Sequence, residues 1–140
     1  MSLNALERPP LCLFYRGDTS LLQSLQRRQA VAVVGTRSPS PHGLQMADRL
    51  GRALGQAGWP VLSGLAAGID AAVHRGCLAV EGSPVAVLGT HLDRVYPSQH
   101  RELQSAIGRS GLLLSKRFPG GTPRPGHYAA RNRLMVTMAP

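Results

Sequence analysis

A chain of 140 residues, 43% of them hydrophobic, is long enough for one domain with a substantial core and too apolar for wholesale disorder. No apolar run approaches the roughly 20 residues of a membrane span, MSLNALERPP lacks the basic and apolar regions of a secretory signal, and two cysteines are too few for a disulfide framework. Sixteen basic residues against seven acidic ones leave a net charge of +9. The excess is concentrated: residues 94–140 hold eight basic side chains and one acid, Glu102, whereas residues 1–93 hold eight and six. A basic half is the footprint of a phosphate-rich partner. An arginine-favouring genome would also produce it, since every basic residue but Lys116 is arginine. Cys12 and Cys77 are expected to be reduced and partly buried, in a cytoplasmic protein.

In chain order, residues 1–29 read as a lead-in, with Pro9-Pro10, an apolar LCLFY run ending at Arg16-Gly17-Asp18 as an edge strand and turn, and a short helix over 21–29. From residue 30 to 140 the pattern becomes regular. AVAVVG (30–35) is a continuous apolar strand ending in glycine, as expected of a strand covered on both faces. Residues 41–57 carry Leu44, Ala47, Leu50, Leu54 and Ala57 at helical spacing, and Gly58 stops that helix. PVLS (60–63) is the next strand, 68–80 a helix, PVAVLG (84–89) a strand, 98–109 a helix opened by the cap-like Ser98, and LLLS (112–115) a strand. Strands alternating with helices define an α/β class, a Rossmann-like, mostly parallel sheet with flanking helices. KRFPGGTPRPGHYAARNR (116–133) interrupts the order as a basic loop, and a final helix-like segment runs to the C-terminus. The chain thus stops sooner than the pattern suggests it should.

Ligands of open α/β sheets bind beyond the carboxyl ends of the strands. Three of those ends share a punctuation: Gly35-Thr36-Arg37, Ser63-Gly64 and Gly89-Thr90. Glycines permit positive φ and close approach, and helix N-termini leave backbone N–H groups free for an anion. Ordinary turn chemistry would use the same residues. There is neither a GxGxxG with a downstream acid nor a GxxxxGK[ST], so a dinucleotide or P-loop reading is weak. Arg37 can offer phosphate a bidentate fork, or it can pair with Asp48. Asp70 and His74, four apart on a helix, are read as a local hydrogen-bonded pair in preference to a catalytic one. No nucleophile accompanies them, and the five histidines show no metal-ligand spacing, so neither catalytic nor metal residues are expected. Trp59 reads as packing, whereas Tyr128, beside Arg131-Asn132-Arg133, is either a stacking platform for an unpaired base or a cap beneath the final helix.

With these segments in hand, VAVVGTR (31–37), SGLAAGIDAAVH (63–74), VAVLGTHLDRVYP (85–97) and LLLSKRFPGGTPRPGHYAARNR (112–133) resemble, in order, the motifs of the DNA-processing protein A family, DprA or Smf. The resemblance spans about residues 9–139. It implies a bacterial protein that binds single-stranded DNA on an extended Rossmann fold and hands it to the recombinase RecA during natural transformation, without catalysis and without a cofactor. Carried over by position, Gly35 and Arg37 fall in the first loop, Ser63, Gly64 and Gly68 in the second, and Arg131, Asn132 and Arg133 in the last. These residues would contact DNA, with Asp70 and His74 bracing the second loop. The sequence departs from the family pattern at Ala67, where a basic residue is usual, at His91, where glycine is, and at Tyr128-Ala129, where Phe-Pro is. Lys116 replaces an acid at the pocket rim and is counted, with Tyr128, among the DNA contacts. Family members continue past the RNR with the segments tied to dimerisation and RecA contact, so the C-terminal part of the fold is expected to be missing here. Two alternatives stand: an enzyme releasing the base from nucleoside monophosphates, suggested by Phe118-Pro119-Gly120-Gly121-Thr122 but lacking that family's following glycine and glutamate, and a remnant without function.

Overall fold

The computed structural model describes residues 9–139. In chain order these form β1 (Phe14–Gly17), α1 (Leu21–Gln26), β2 (Val31–Ala32), α2 (Pro41–Gln56), β3 (Val61–Ser63), α3 (Ile69–Ala79), β4 (Pro84–Leu88), α4 (Arg101–Ser110), β5 (Leu112–Ser115) and α5 (Gly126–Met138). The strands make one five-stranded sheet in the order β1-β5-β4-β3-β2. The four strands β2 to β5 are parallel, and β1 closes the far edge antiparallel to β5, with Phe14 opposite Ser115 and Gly17 opposite Leu112.

The apolar runs that hide any alternation in the sequence divide strictly between two faces. Val85 and Val87 of β4, with Leu112 and Leu114 of β5, pack under Leu21 and Leu25 of α1 and Leu134, Met135 and Met138 of α5. Their neighbours Ala86, Leu88 and Leu113 face Ala71 of α3 and Leu103 and Ile107 of α4. Leu54 of α2 and Val73 and Cys77 of α3 share a third cluster with Val61. Successive strands step across the sheet in one direction, so right-handed crossovers put α2, α3 and α4 on a single face. A strand covered on both sides needs no polar face, which is why periodicity alone could not reveal which residue pointed where. Helices α2 and α3 approach at the level of backbone: a Cβ on Gly51 would strike the Val73 carbonyl, and one on Gly76 the Asp48 carbonyl.

Several boundaries differ from the sequence expectation. The strand expected over 30–35 keeps only two ladder residues, because it is the sheet edge and bends away after Val33, whose N–H still donates to Leu62 O at 2.9 Å. Ser98 does not cap a helix: it opens a 3-10 turn, Ser98–His100, that leads into α4 without a side-chain cap. Helix α2 is capped instead by Ser40, whose Oγ accepts from the Gly43 N–H at 3.1 Å, with Pro41 at the first helical position. Cys77 is buried as expected, but Cys12 is exposed.

Candidate nucleic-acid interface

The carboxyl ends of β3 and β4, the loop after β2 and the start of α5 surround a cleft of about 100 Å³ lined by Arg37, Gly64, Ala67, Gly89, Tyr96, Tyr128 and Arg131, among others. Its floor is the segment 64–67, and three side chains, Asp70, Arg131 and His100, fix it. The Asp70 carboxylate, in the first turn of α3, accepts the N–H groups of Gly64 at 3.1 Å and Ala66 at 3.4 Å through Oδ2, and that of Gly35 at 3.3 Å through Oδ1. Arg131 donates through Nη1 to the carbonyls of Gly64 and, at 3.0 Å, of Val87. His100 Nδ1–H donates to the Leu65 carbonyl at 3.0 Å, which fixes the proton on that nitrogen. Under these restraints Leu65 holds a left-handed φ of 56° with its side chain in the core, and Gly68 a φ of 86° in contact with the Thr36 carbonyl.

This arrangement corrects two expectations. Asp70 and His74 do not hydrogen-bond each other; the Asp70 oxygens are taken by main-chain donors, and His74 is fully buried with neither ring nitrogen partnered among the described residues. The amides of Gly35 and Gly64 are likewise not free for phosphate, because Asp70 already accepts them. Gly64 is required for space: a Cβ there would strike the Arg131 guanidinium and the Asp70 carboxylate. On the cleft floor the amides of Leu65 and Ala67 have no protein acceptor among the described residues.

The remaining candidates fall into three groups. Arg37 is exposed, with its guanidinium 5.1 Å from the centroid of the Tyr128 ring; its alternative partner Asp48 is instead paired with Arg52 at 2.8 Å. Arg131 lies over the same ring at 5.7 Å, and Tyr96 sits 6.0 Å away, tilted by 42°. Tyr128 opens α5 against bare Gly89, where any Cβ would meet its ring. Behind this surface, Ser63 is fully buried and spends its hydroxyl on the Val33 carbonyl at 2.6 Å, and exposed Asn132 orients Arg131 by accepting its Nε–H at 2.8 Å. Lys116 and Arg133 stand together in a neighbouring basic cluster outside the cleft.

Burial dominates the local titrations. It raises the Asp70 carboxyl, against the pull of Arg131 and the three N–H donors, and lowers Arg131 despite Asp70. The His74 imidazole is pushed down to about 3 by burial, with His100, Arg131 and Arg75 adding to the effect. Burial, followed by the neighbouring Tyr96, raises the Tyr128 phenol, so the ring meets a ligand as a neutral aromatic.

Sequence reasoning missed His100, Tyr96, Arg94 and Arg124. The last three line a second hollow of about 510 Å³ that shares Arg37, Tyr96 and Tyr128 with the cleft. The charge excess after residue 94 and the quoted VYP were the available signals. His100 had none, since its partner lies 35 positions away. Among the described residues no group of three or more His, Cys, Asp or Glu could hold a metal, and no helix is long and apolar enough to cross a membrane.

Fold and cleft together define a Rossmann-like α/β domain with a basic, aromatic-lined cleft at the carboxyl ends of its parallel strands. The family model for DNA recombination-mediator protein A matches residues 1–140, and the chain belongs to that family. It is 42% identical over 131 residues to protein Smf of Synechocystis sp., covering 94% of this chain and 33% of the relative. It is 38% identical to the DNA processing protein DprA of Streptococcus pneumoniae, over 96% of this chain and 46% of the relative. Among solved structures, DNA processing protein A from Helicobacter pylori, described for its single-stranded DNA binding mode, superposes with a TM-score of 0.86 at 32% identity, over 96% of this chain and 60% of that one. DprA from Streptococcus pneumoniae superposes with a TM-score of 0.85 at 36% identity, over 98% and 47%. The chain therefore spans a third to just under half of the length of these curated relatives.

Proposed function

We propose that this chain binds single-stranded DNA along the carboxyl rim of its sheet and acts as a recombination mediator in DNA uptake. One observation carries the reading: two guanidinium groups over the Tyr128 ring, in a cleft lined by no carboxylate. An unpaired base offers a π-face to tyrosine and arginine whatever its identity, and the phosphates meet Arg37, Arg94 and Arg124. Binding is then strong, tolerant of sequence and steeply dependent on salt. The Helicobacter pylori relative, described for its single-stranded DNA binding mode, supports the same ligand. Transfer of the strand to RecA, pairing of two copies and work in the bacterial cytoplasm complete the proposal and rest on family membership. The cleft binds and breaks no bond; nucleoside monophosphates incubated with the protein should be recovered intact by chromatography.

The test is a titration of a fluorescent oligothymidylate at several salt concentrations, with circular dichroism as the control for folding. Arg37→Ala is expected to weaken binding and to reduce the salt slope by about 0.7, the value for one lost phosphate contact on a single strand. Binding by the Arg37→Ala protein with the parent's affinity and slope would overturn the assignment.

A further inference from the structure

Beside the cleft, between the loops that follow β4 and β5, lies a separate cavity of about 210 Å³ lined by Thr90, His91, Arg117, Phe118, Thr122 and His127, with other loop atoms. Burial, with the charges of Arg117, Arg124 and Lys116, lowers the His127 imidazole, and burial, with Arg117 and Arg133, lowers Lys116. None of these groups takes part in a salt bridge among the described residues; the two that exist, Arg16 with Asp93 and Arg52 with Asp48, lie elsewhere. Uncompensated positive charge around a concave space is the electrostatic signature of an absent anion. The hydrogen bonding agrees. His127 Nδ1 accepts the Arg124 N–H at 3.3 Å, which leaves its proton on Nε2 as a donor. Ser115 ties the two walls together by donating to the Thr90 carbonyl at 2.6 Å and accepting the Arg117 N–H at 3.0 Å.

We infer that this cavity is a second anion site, in which Arg117 and the Nε2–H of His127 receive a phosphate group and His127 takes up a proton as the phosphate seats. The inference deepens the DNA reading by giving the strand a second point of attachment. It also makes attachment proton-linked. The groups facing His127 are the cations Arg117 and Lys116 from the end of β5 and Arg124 from the loop before α5, with His91 across the cavity; burial first and these cations second disfavour the charged imidazole. A phosphate dianion or diester offsets that field, and the imidazole gains a proton at Nδ1, which then gives up the Arg124 N–H.

The experiment follows the ring C–H resonances of His91 and His127 by NMR while inorganic phosphate, and separately an oligothymidylate, is added near neutral pH. Oligothymidylate affinity is measured alongside from pH 8 to pH 6 at constant ionic strength, for the parent and for His127→Gln. The expected result is a downfield shift of the His127 signal and an affinity that rises about three- to tenfold per pH unit on acidification, up to the tenfold limit of one linked proton. His127→Gln should bind with a flat profile. A shift with both ligands means that a free phosphate group suffices, and a shift with the oligonucleotide alone means that the strand must deliver it; either supports the site. Unmoved resonances with both ligands, or parallel pH profiles for parent and variant, overturn it. If phosphate moves His127 while no oligonucleotide binds, the anion site stands and the DNA reading fails.

Discussion

Arg131 and Gly64, 67 positions apart, are joined by a guanidinium-to-carbonyl hydrogen bond that ties the last helix to the loop after β3. The same Gly64 peptide unit offers its N–H to Asp70, so one glycine is gripped from both sides by opposite charges. A motif arginine that reads as a DNA contact is thus a structural brace as well, 4% exposed and committed to two carbonyls.

Arg131→Ala is expected to cost stability and binding together. It leaves the Gly64 and Val87 carbonyls unsatisfied in the interior, at about 1–3 kcal/mol each, and removes the charge facing Asp70. A loss of about 3 kcal/mol lowers the melting temperature of a domain this size by roughly 10 °C. Arg37→Ala, at an exposed position, should melt within about 2 °C of the parent while losing affinity. Thermal scans of both variants beside DNA titrations check the division; equal melting temperatures would show that Arg131 carries no structural load.

Tyr128 separates stacking from hydrogen bonding. If the ring is a platform for a base, Tyr128→Phe keeps most of the affinity and Tyr128→Ala loses about 10- to 100-fold, corresponding to the roughly 1–3 kcal/mol of a stacked base. Comparable losses in both variants would mean that the hydroxyl, not the ring face, meets the ligand.

How much of this was written in the sequence varies by element. Residues 112–115 were legible as a strand to the residue, because a glycine and a basic loop bracket four apolar or small side chains in a row. Val31–Ala32 was overestimated because an edge strand and an interior strand look alike until the sheet order is known. Of the residues singled out as DNA contacts, Arg37, Gly64, Tyr128 and Arg131 converge on one cleft. The reasons assigned to them were less secure. Sequence spacing paired Asp70 with His74, whereas the carboxylate's real partners are amides brought in from two loops. Only the folded chain brings His100 beneath Leu65, so no local pattern announces it.

The two thiols should differ sharply in reactivity. Cys12 is exposed, whereas the buried Cys77 thiol is pushed up to about 11, which leaves almost no thiolate near neutrality. Native protein is expected to react with one equivalent of a disulfide reagent at pH 8, and with a second only after denaturant is added. Rapid reaction of both without denaturant would show that the interface of α2 and α3 opens readily.

His74 makes the fold sensitive to acid. An unfolded histidine takes its proton near pH 6.5, but this one resists protonation until about 3 because it is buried beside His100, Arg131 and Arg75. Across that interval the unfolded state binds a proton that the folded state does not. Stability is therefore unaffected above pH 6.5 and falls as the pH drops below it, at up to about 1.4 kcal/mol per pH unit. His100, also lowered by burial, contributes a slope of the same sign. Replacing His74 with leucine removes one of these protons and two unpartnered ring nitrogens while filling a similar volume. Urea midpoints measured between pH 7 and pH 4 should fall less steeply for His74→Leu than for the parent, the gap widening by about 1 kcal/mol per pH unit below 6. Parallel curves would mean that His74 is already protonated in the folded chain, with a counter-charge reaching it from within the core.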